Sequence, residues 1–217
     1  MRKKIVLIFT IIVVVIIYIM FASGFFKEKT LSNVYENIKE KQTYLFEMKK
    51  NDENKLTIAK KGNKTIIDQY TEGNHITTLV KDNTTYLILH EREEYYVYYQ
   101  PNNMEQNVLI DGFEEVLSND FVLISKENIM GKKYKYEEYS TNTFFSLSSD
   151  IQAEQDVRTR FYFNNRGDLT YIKTIYGDEF ELLKVNIETK VDDSIFEIPS
   201  NYAENENWYN KATAFYI

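Results

Sequence analysis

The chain has 217 residues, of which 26 are basic and 33 acidic, and a formal net charge of −7. Setting aside Arg2, Lys3 and Lys4 leaves 23 basic against 33 acidic residues, about −10, which argues against nucleic acid and against electrostatic docking on anionic lipid. No cysteine is present, which excludes disulfides, thiolate metal sites, a cysteine nucleophile and an acylated lipoprotein cysteine.

The first 26 residues differ from everything after them. Arg2, Lys3 and Lys4 form a basic tip over residues 1–4, and the uncharged stretch 5–26 follows. As a helix that stretch would span roughly 33 Å, close to the hydrocarbon thickness of a bilayer. The cationic tip favours retention on the cytoplasmic side, so the expected topology is a single transmembrane anchor with residues 27–217 outside the cytoplasm. A cleaved signal segment is the alternative, since Ala22 and Gly24 are small residues at a spacing a peptidase accepts. Either way the remaining residues are exported. They are enough for one domain with a substantial core.

After the anchor, Leu31, Val34, Tyr35 and Ile38 recur at steps of three and four residues, predicting a short helix with Thr30 or Ser32 as its N-cap. From Thr43 the period becomes two, with Tyr44, Phe46 and Met48 on one side of a strand. Turn-forming pairs then recur about every ten residues: Gly62-Asn63, Gly73-Asn74 and Asp82-Asn83, followed by the charged turn from Glu91 to Glu94. Connections this short admit no crossover helix, so the strands must be antiparallel neighbours.

Beyond Pro101 the period is helical again, with Met104, Val108, Leu109, Phe113, Val116 and Leu117 forming an apolar stripe. Strands resume at Phe121 to Ile124 and Lys132 to Tyr139. The Ser-rich, acidic stretch from Thr141 to Gln155 reads as a loop or lid. Asn164 to Asp168 is a hairpin turn between two further strands, and Gly177-Asp178 leads into another from Phe180 to Lys190. Nine or ten strands and two or three helices are expected. The predicted class is α+β, mainly β: an N-terminal transmembrane helix, then a curved antiparallel sheet, an open half-barrel, with two or three helices packed on it.

The order of these features resembles the exported half-barrel family that contains the lipoprotein carriers LolA, LolB and LppX and the sigma-factor regulator RseB. The resemblance spans residues 30–202 and rests on six features: the helix leading into a strand that ends in an aromatic (Leu31 to Phe46), the hairpin meander, the mid-chain helix, the Gly-Lys-Lys-Tyr start of a strand (Gly131 to Tyr134), the Phe-Tyr-Phe…Gly-Asp-Leu hairpin (Phe161 to Leu169) and the ending from Val191 to Tyr202. It implies a concave face, covered by helices, that takes up acyl chains or a hydrophobic peptide. An anchor and the lack of a lipidation site set this chain apart and argue against shuttling between membranes.

Catalytic sets are sparse. The two histidines, His75 and His90, fall on separate strands and read as ordinary polar residues, and no Gly-x-Ser-x-Gly, phosphate loop or His-Glu-x-x-His occurs. The carboxylate pairs Glu93-Glu94, Glu137-Glu138 and Asp192-Asp193 read as solvated turns and strand surfaces. No cofactor, metal or enzymatic activity is expected. Tyrosine, by contrast, is abundant at 18 residues, and its apolar body and polar tip suit an amphiphile-binding wall. Alternating apolar positions give the candidate groove: Tyr44, Phe46, Leu56, Ile58, Tyr86, Ile88, Tyr96, Tyr98, Phe161 and Phe163. The expected partners are the membrane, through residues 5–26, and a lipid or lipid-linked ligand. The alternative is a sensor or scaffold that binds another envelope protein without a small-molecule ligand. The aromatic ending Trp208, Tyr209, Phe215, Tyr216 and Ile217 is expected to pack on the sheet as a last strand or helix.

Overall fold

The computed structural model describes residues 30–98, 107–140, 145–147 and 157–206. The predicted anchor, Met104, and the aromatic ending from Trp208 lie outside the described residues. Among the described residues no helix is long and apolar enough to cross a membrane.

Two meanders build the sheet. The first comprises β1 (Thr43–Asn51), β2 (Asn54–Lys61), β3 (Lys64–Thr71), β4 (Asn74–Lys81), β5 (Thr84–Leu89) and β6 (Glu94–Tyr98). The second comprises β7 (Phe121–Ile129), β8 (Lys132–Ser140), β9 (Val157–Phe163), β10 (Leu169–Tyr176) and β11 (Glu179–Glu188). Antiparallel pairing of β1 with β11 joins them, and a short β12 (Ala203–Glu204) runs parallel to β6, giving one curved open sheet in the order β12-β6-β5-β4-β3-β2-β1-β11-β10-β9-β8-β7. The described residues form twelve strands, more than the nine or ten expected; of these β12 is two residues long and carries no sequence period. Parallel pairing at that edge departs from the all-antiparallel expectation. It becomes possible because a long excursion, not a tight turn, separates β6 from β12.

Local chemistry explains the hairpins. At the β3–β4 turn Glu72 and Gly73 both have positive φ (50° and 88°), a mirror-image turn whose twist matches that of paired strands. The turn therefore sits one residue earlier than Gly73-Asn74, and Asn74 already begins β4.

Helix α1 (Leu31–Lys41) and helix α2 (Val108–Ser118) lie on one face. Leu31, Tyr35 and Ile38 of α1 and Leu109, Phe113 and Val116 of α2 form one core with Tyr44, Phe46, Met48, Ile58, Phe161, Ile172, Leu183 and Val185 of the strands. Thr30 is the N-cap of α1, but its side chain makes no capping bond. The Leu31 N–H instead donates to Glu137 Oε2 on β8 at 3.0 Å, so a carboxylate 106 residues away meets the positive end of the helix.

The opposite face is covered in part by the chain after β11. Phe196, Val191, Ile195, Ile198 and Tyr202 pack on Ala59, Ile66, Leu79 and Ile88. Farther along the same face Tyr136 and Tyr162 pack with Ile129, beside an ionic group in which Arg160 and Lys173 both meet Glu127, at 2.8 and 2.9 Å.

Candidate functional site

Register decides which positions share the helix-covered face, because directly opposed residues of paired strands point the same way. Starting from Phe46, the opposed positions are Ile58, Ile67, Thr78, Leu87 and Tyr96, running from β1 to β6. The neighbouring row is Tyr44, Lys60, Thr65, Val80, Thr85 and Tyr98. On the other side, Leu183, Ile172 and Phe161 continue the face across β11, β10 and β9.

Eight of the ten expected groove residues thus occupy positions on one face: Tyr44, Phe46, Leu56, Ile58, Tyr96, Tyr98, Phe161 and Phe163. Tyr86 and Ile88 do not. They belong to the opposite face, where Ile88 joins the core beneath the C-terminal segment and Tyr86 packs against it. The helix-side positions of β5 are Thr85, Leu87 and Leu89. Apolar residues of both parities fill Tyr86 to Leu89, so alternation could not choose between them.

Tyr44, Phe46, Ile58, Phe161 and Phe163 are each no more than 3% exposed and form the packed core under the helices. Part of the filling comes from within the predicted lid. Phe145 lies at ring-centroid distances of 5.0 Å from Phe113, 5.4 Å from Phe161 and 6.2 Å from Phe46. Its segment is pinned from below: the Ser146 hydroxyl and the Leu147 N–H both donate to buried Glu181, at 2.7 and 2.8 Å, and Thr174 Oγ1 donates to the Phe145 carbonyl at 3.2 Å.

The two helices' core extends as far as Leu56 and Ile67. Ile76, Val80, Leu87, Leu89 and Tyr96 continue the same face across β4 to β6 outside these cores, with Val80 and Tyr96 buried and Ile76 exposed. At the boundary stand three adjacent polar side chains, Tyr44, Lys60 and Thr65, on three neighbouring strands. The Tyr44 and Thr65 hydroxyls are buried and have no hydrogen-bond partner among the described residues. Lys60 Nζ donates to Asn107 Oδ1 at 2.8 Å, at the start of α2. Burial pushes the Lys60 ammonium below its usual range, with Asp111 opposing the shift, while burial and the Asp111 charge both push the Tyr44 hydroxyl up. Apolar alternation marked Tyr44 as wall, but nothing in the sequence aligned it with Lys60 and Thr65; that needed the register.

The acidic pairs require a correction. Glu137 and Glu138 are 2% and 1% exposed, not solvated. Glu137 accepts from Leu31 N and from the Tyr139 hydroxyl, and Glu138 accepts from Arg160 and Arg158. Burial of both is possible because each carboxylate finds donors in place of water. The histidines are also displaced from expectation: on the opposite face, His75 and His90 stack with ring centroids 3.6 Å apart.

No family model matches the chain, and no curated protein matches it. Two of the solved structures similar to it in overall fold can be named. One is an uncharacterized conserved protein from Thermus thermophilus, at 6% identity and a TM-score of 0.45, covering 81% of this chain and 98% of that one. The other is the Mycobacterium tuberculosis lipoprotein LppX, at 9% identity and a TM-score of 0.39, covering 75% of this chain and 96% of that one. Neither similarity bears on function.

Proposed function

We propose that the chain is a non-enzymatic, membrane-anchored extracytoplasmic domain that holds an amphiphile on the helix-side face of β3 to β6. The supporting observation is the buried polar trio at the edge of that apolar surface. Two hydroxyls of 1% exposed residues, Tyr44 and Thr65, lack partners among the described residues. Each such group costs about 1–3 kcal/mol relative to a bonded one, which a polar ligand head would recover. Lys60 beside them supplies a cation, so the head is an acceptor, neutral or anionic. The apolar part of the ligand would lie along Ile67, Leu87 and Leu89, with affinity from burial at about 25 cal/mol per Å². Ile76, 40% exposed, marks the end open to solvent.

Native mass spectrometry of the full chain extracted in mild detergent tests this reading. A co-purified amphiphile is expected from wild type and lost from Leu87→Trp, whose larger ring would occupy the surface. A wild-type chain that carries no such species and fails to bind a fluorescent fatty acid refutes it.

A second reading, contact with another envelope protein, is favoured by the free edge of the sheet. Phe121, Val122, Leu123 and Ile124 of β7 are 52%, 45%, 37% and 49% exposed, and among the described residues β7 pairs only with β8. An apolar edge of this kind accepts an extended segment of a partner by strand addition. Site-specific photocrosslinking from position 122 would capture that partner in cells, and the absence of any crosslinked product would remove the reading.

A further inference from the structure

The only two histidines of the chain meet on the face opposite the helices. Asp68 on β3 is directly opposed to Thr77 on β4, and His75 lies two residues before Thr77 on the same strand. His90 begins a single 3-10 turn, His90–Arg92, immediately after β5. Glu91 of that turn accepts the His75 backbone N–H, tying the turn to the start of β4. His75 Nε2 lies 2.8 Å from Asp68 Oδ1, and His90 Nε2 lies 2.8 Å from Thr77 Oγ1, whose hydroxyl in turn donates to Asp68. On its far side His90 Nδ1 meets the Tyr202 hydroxyl at 3.0 Å.

We propose that Asp68, His75 and His90 form a binding site for a divalent transition-metal ion of the zinc type. One donor atom from each lies within 4.8 Å of the others. A tetrahedral ion with bonds of about 2.0–2.2 Å needs donors roughly 3.3–3.5 Å apart, a gap that side-chain rotation closes without moving a strand. The rings stack almost in parallel, with 9° between planes and 3.6 Å between centroids. Binding turns one imidazole until both Nε2 atoms converge on the ion. Two imidazoles and one carboxylate select borderline ions such as Zn2+ over Ca2+ and Mg2+, which take oxygen ligands.

The surroundings fit this assignment. With the ion on His90 Nε2, the proton resides on Nδ1 and is donated to Tyr202 Oη, the orienting contact that metal-bound histidines use. Tyr202 belongs to the C-terminal segment that packs over Ile66, Leu79 and Ile88, so the ion would also fasten that segment. The His75 and Asp68 side chains are 28% and 21% exposed, which leaves a path for entry and at least one coordination position for water.

The test uses the full, tag-free chain in detergent at neutral pH, titrated with ZnCl2 alone. Calorimetry is expected to give one equivalent with a Kd of about 1 µM or tighter. Asp68→Asn and His90→Gln are each expected to weaken binding at least about 10-fold. Histidine-ring NMR of the wild-type chain needs no variant, since two rings give two signal sets, and both Nε2 resonances should move on adding one equivalent of Zn2+. Ring signals that stay in place at a tenfold excess of Zn2+ overturn the proposal, as does a doubly substituted Asp68→Asn/His90→Gln chain that binds as tightly as wild type.

Discussion

Replacing Tyr44 by Phe should stabilise the ligand-free protein, although it deletes a buried atom at the edge of the core. The side chain is 1% exposed, its hydroxyl has no partner among the described residues, and Phe keeps the ring in the same packing against α1 and α2. An unsatisfied buried hydroxyl costs about 1–3 kcal/mol, and removing it leaves a void smaller than a methyl group, so a net gain of about 1 kcal/mol is expected. Thr65→Val removes the second hydroxyl at nearly constant volume and should gain a similar amount. For a domain of this size about 1 kcal/mol corresponds to roughly 2–4 °C in Tm. Urea unfolding of the delipidated chain, with an unchanged m-value, measures the gain. The same two substitutions should weaken amphiphile binding, because the head loses its donors. A Tyr44→Phe chain that is less stable than wild type by about 1 kcal/mol or more would show that the hydroxyl is bonded and that no vacancy awaits a ligand.

Other substitutions probe the frame around the site. Glu127 is held down to about 2: burial opposes the shift, but hydrogen bonds from Lys173, Tyr162 and Arg160 outweigh it. Its folded value lies below the unfolded one, so its contribution is complete above about pH 4.5 and is lost as pH falls towards 2; after discounting for partial exposure it amounts to about 1–2 kcal/mol. Glu127→Gln should flatten stability across that window in acid titrations followed by circular dichroism, and an unchanged slope would contradict the assignment. Glu137→Ala strips the acceptor from the first N–H of α1 and from Tyr139, with an expected cost of about 1–3 kcal/mol and faster amide exchange over residues 31–35. Phe161→Ala should cost about 3–5 kcal/mol in equilibrium unfolding, since Phe145 and Tyr139 pack edge-on with a ring that has no solvent access.

By itself the sequence determined the hairpins, because each turn depends on residues that are adjacent in the chain. Glu72-Gly73 and Asp82-Asn83 adopt positive φ locally, and the strands on either side are then forced into antiparallel pairing. The apolar periods of α1 and α2 were legible for the same reason, and eight of the ten expected wall positions fall on one face because period two fixed their parity. Tertiary structure alone decided whatever depends on distant pairing. The β1–β11 junction merges the two meanders, and the Glu137 carboxylate at Leu31 and the Glu181 anchor of Leu147 each join positions 34 residues or more apart in the chain. No local composition encodes such encounters, since they arise from which apolar faces must be buried together. Tyr86 and Ile88 show the limit within a single strand: with apolar residues on both sides of β5, only the C-terminal segment packing on one side distinguishes the two faces. The meeting of His75 with His90 depends on the same strand alignment, which brings residues 15 positions apart in the chain into ring contact.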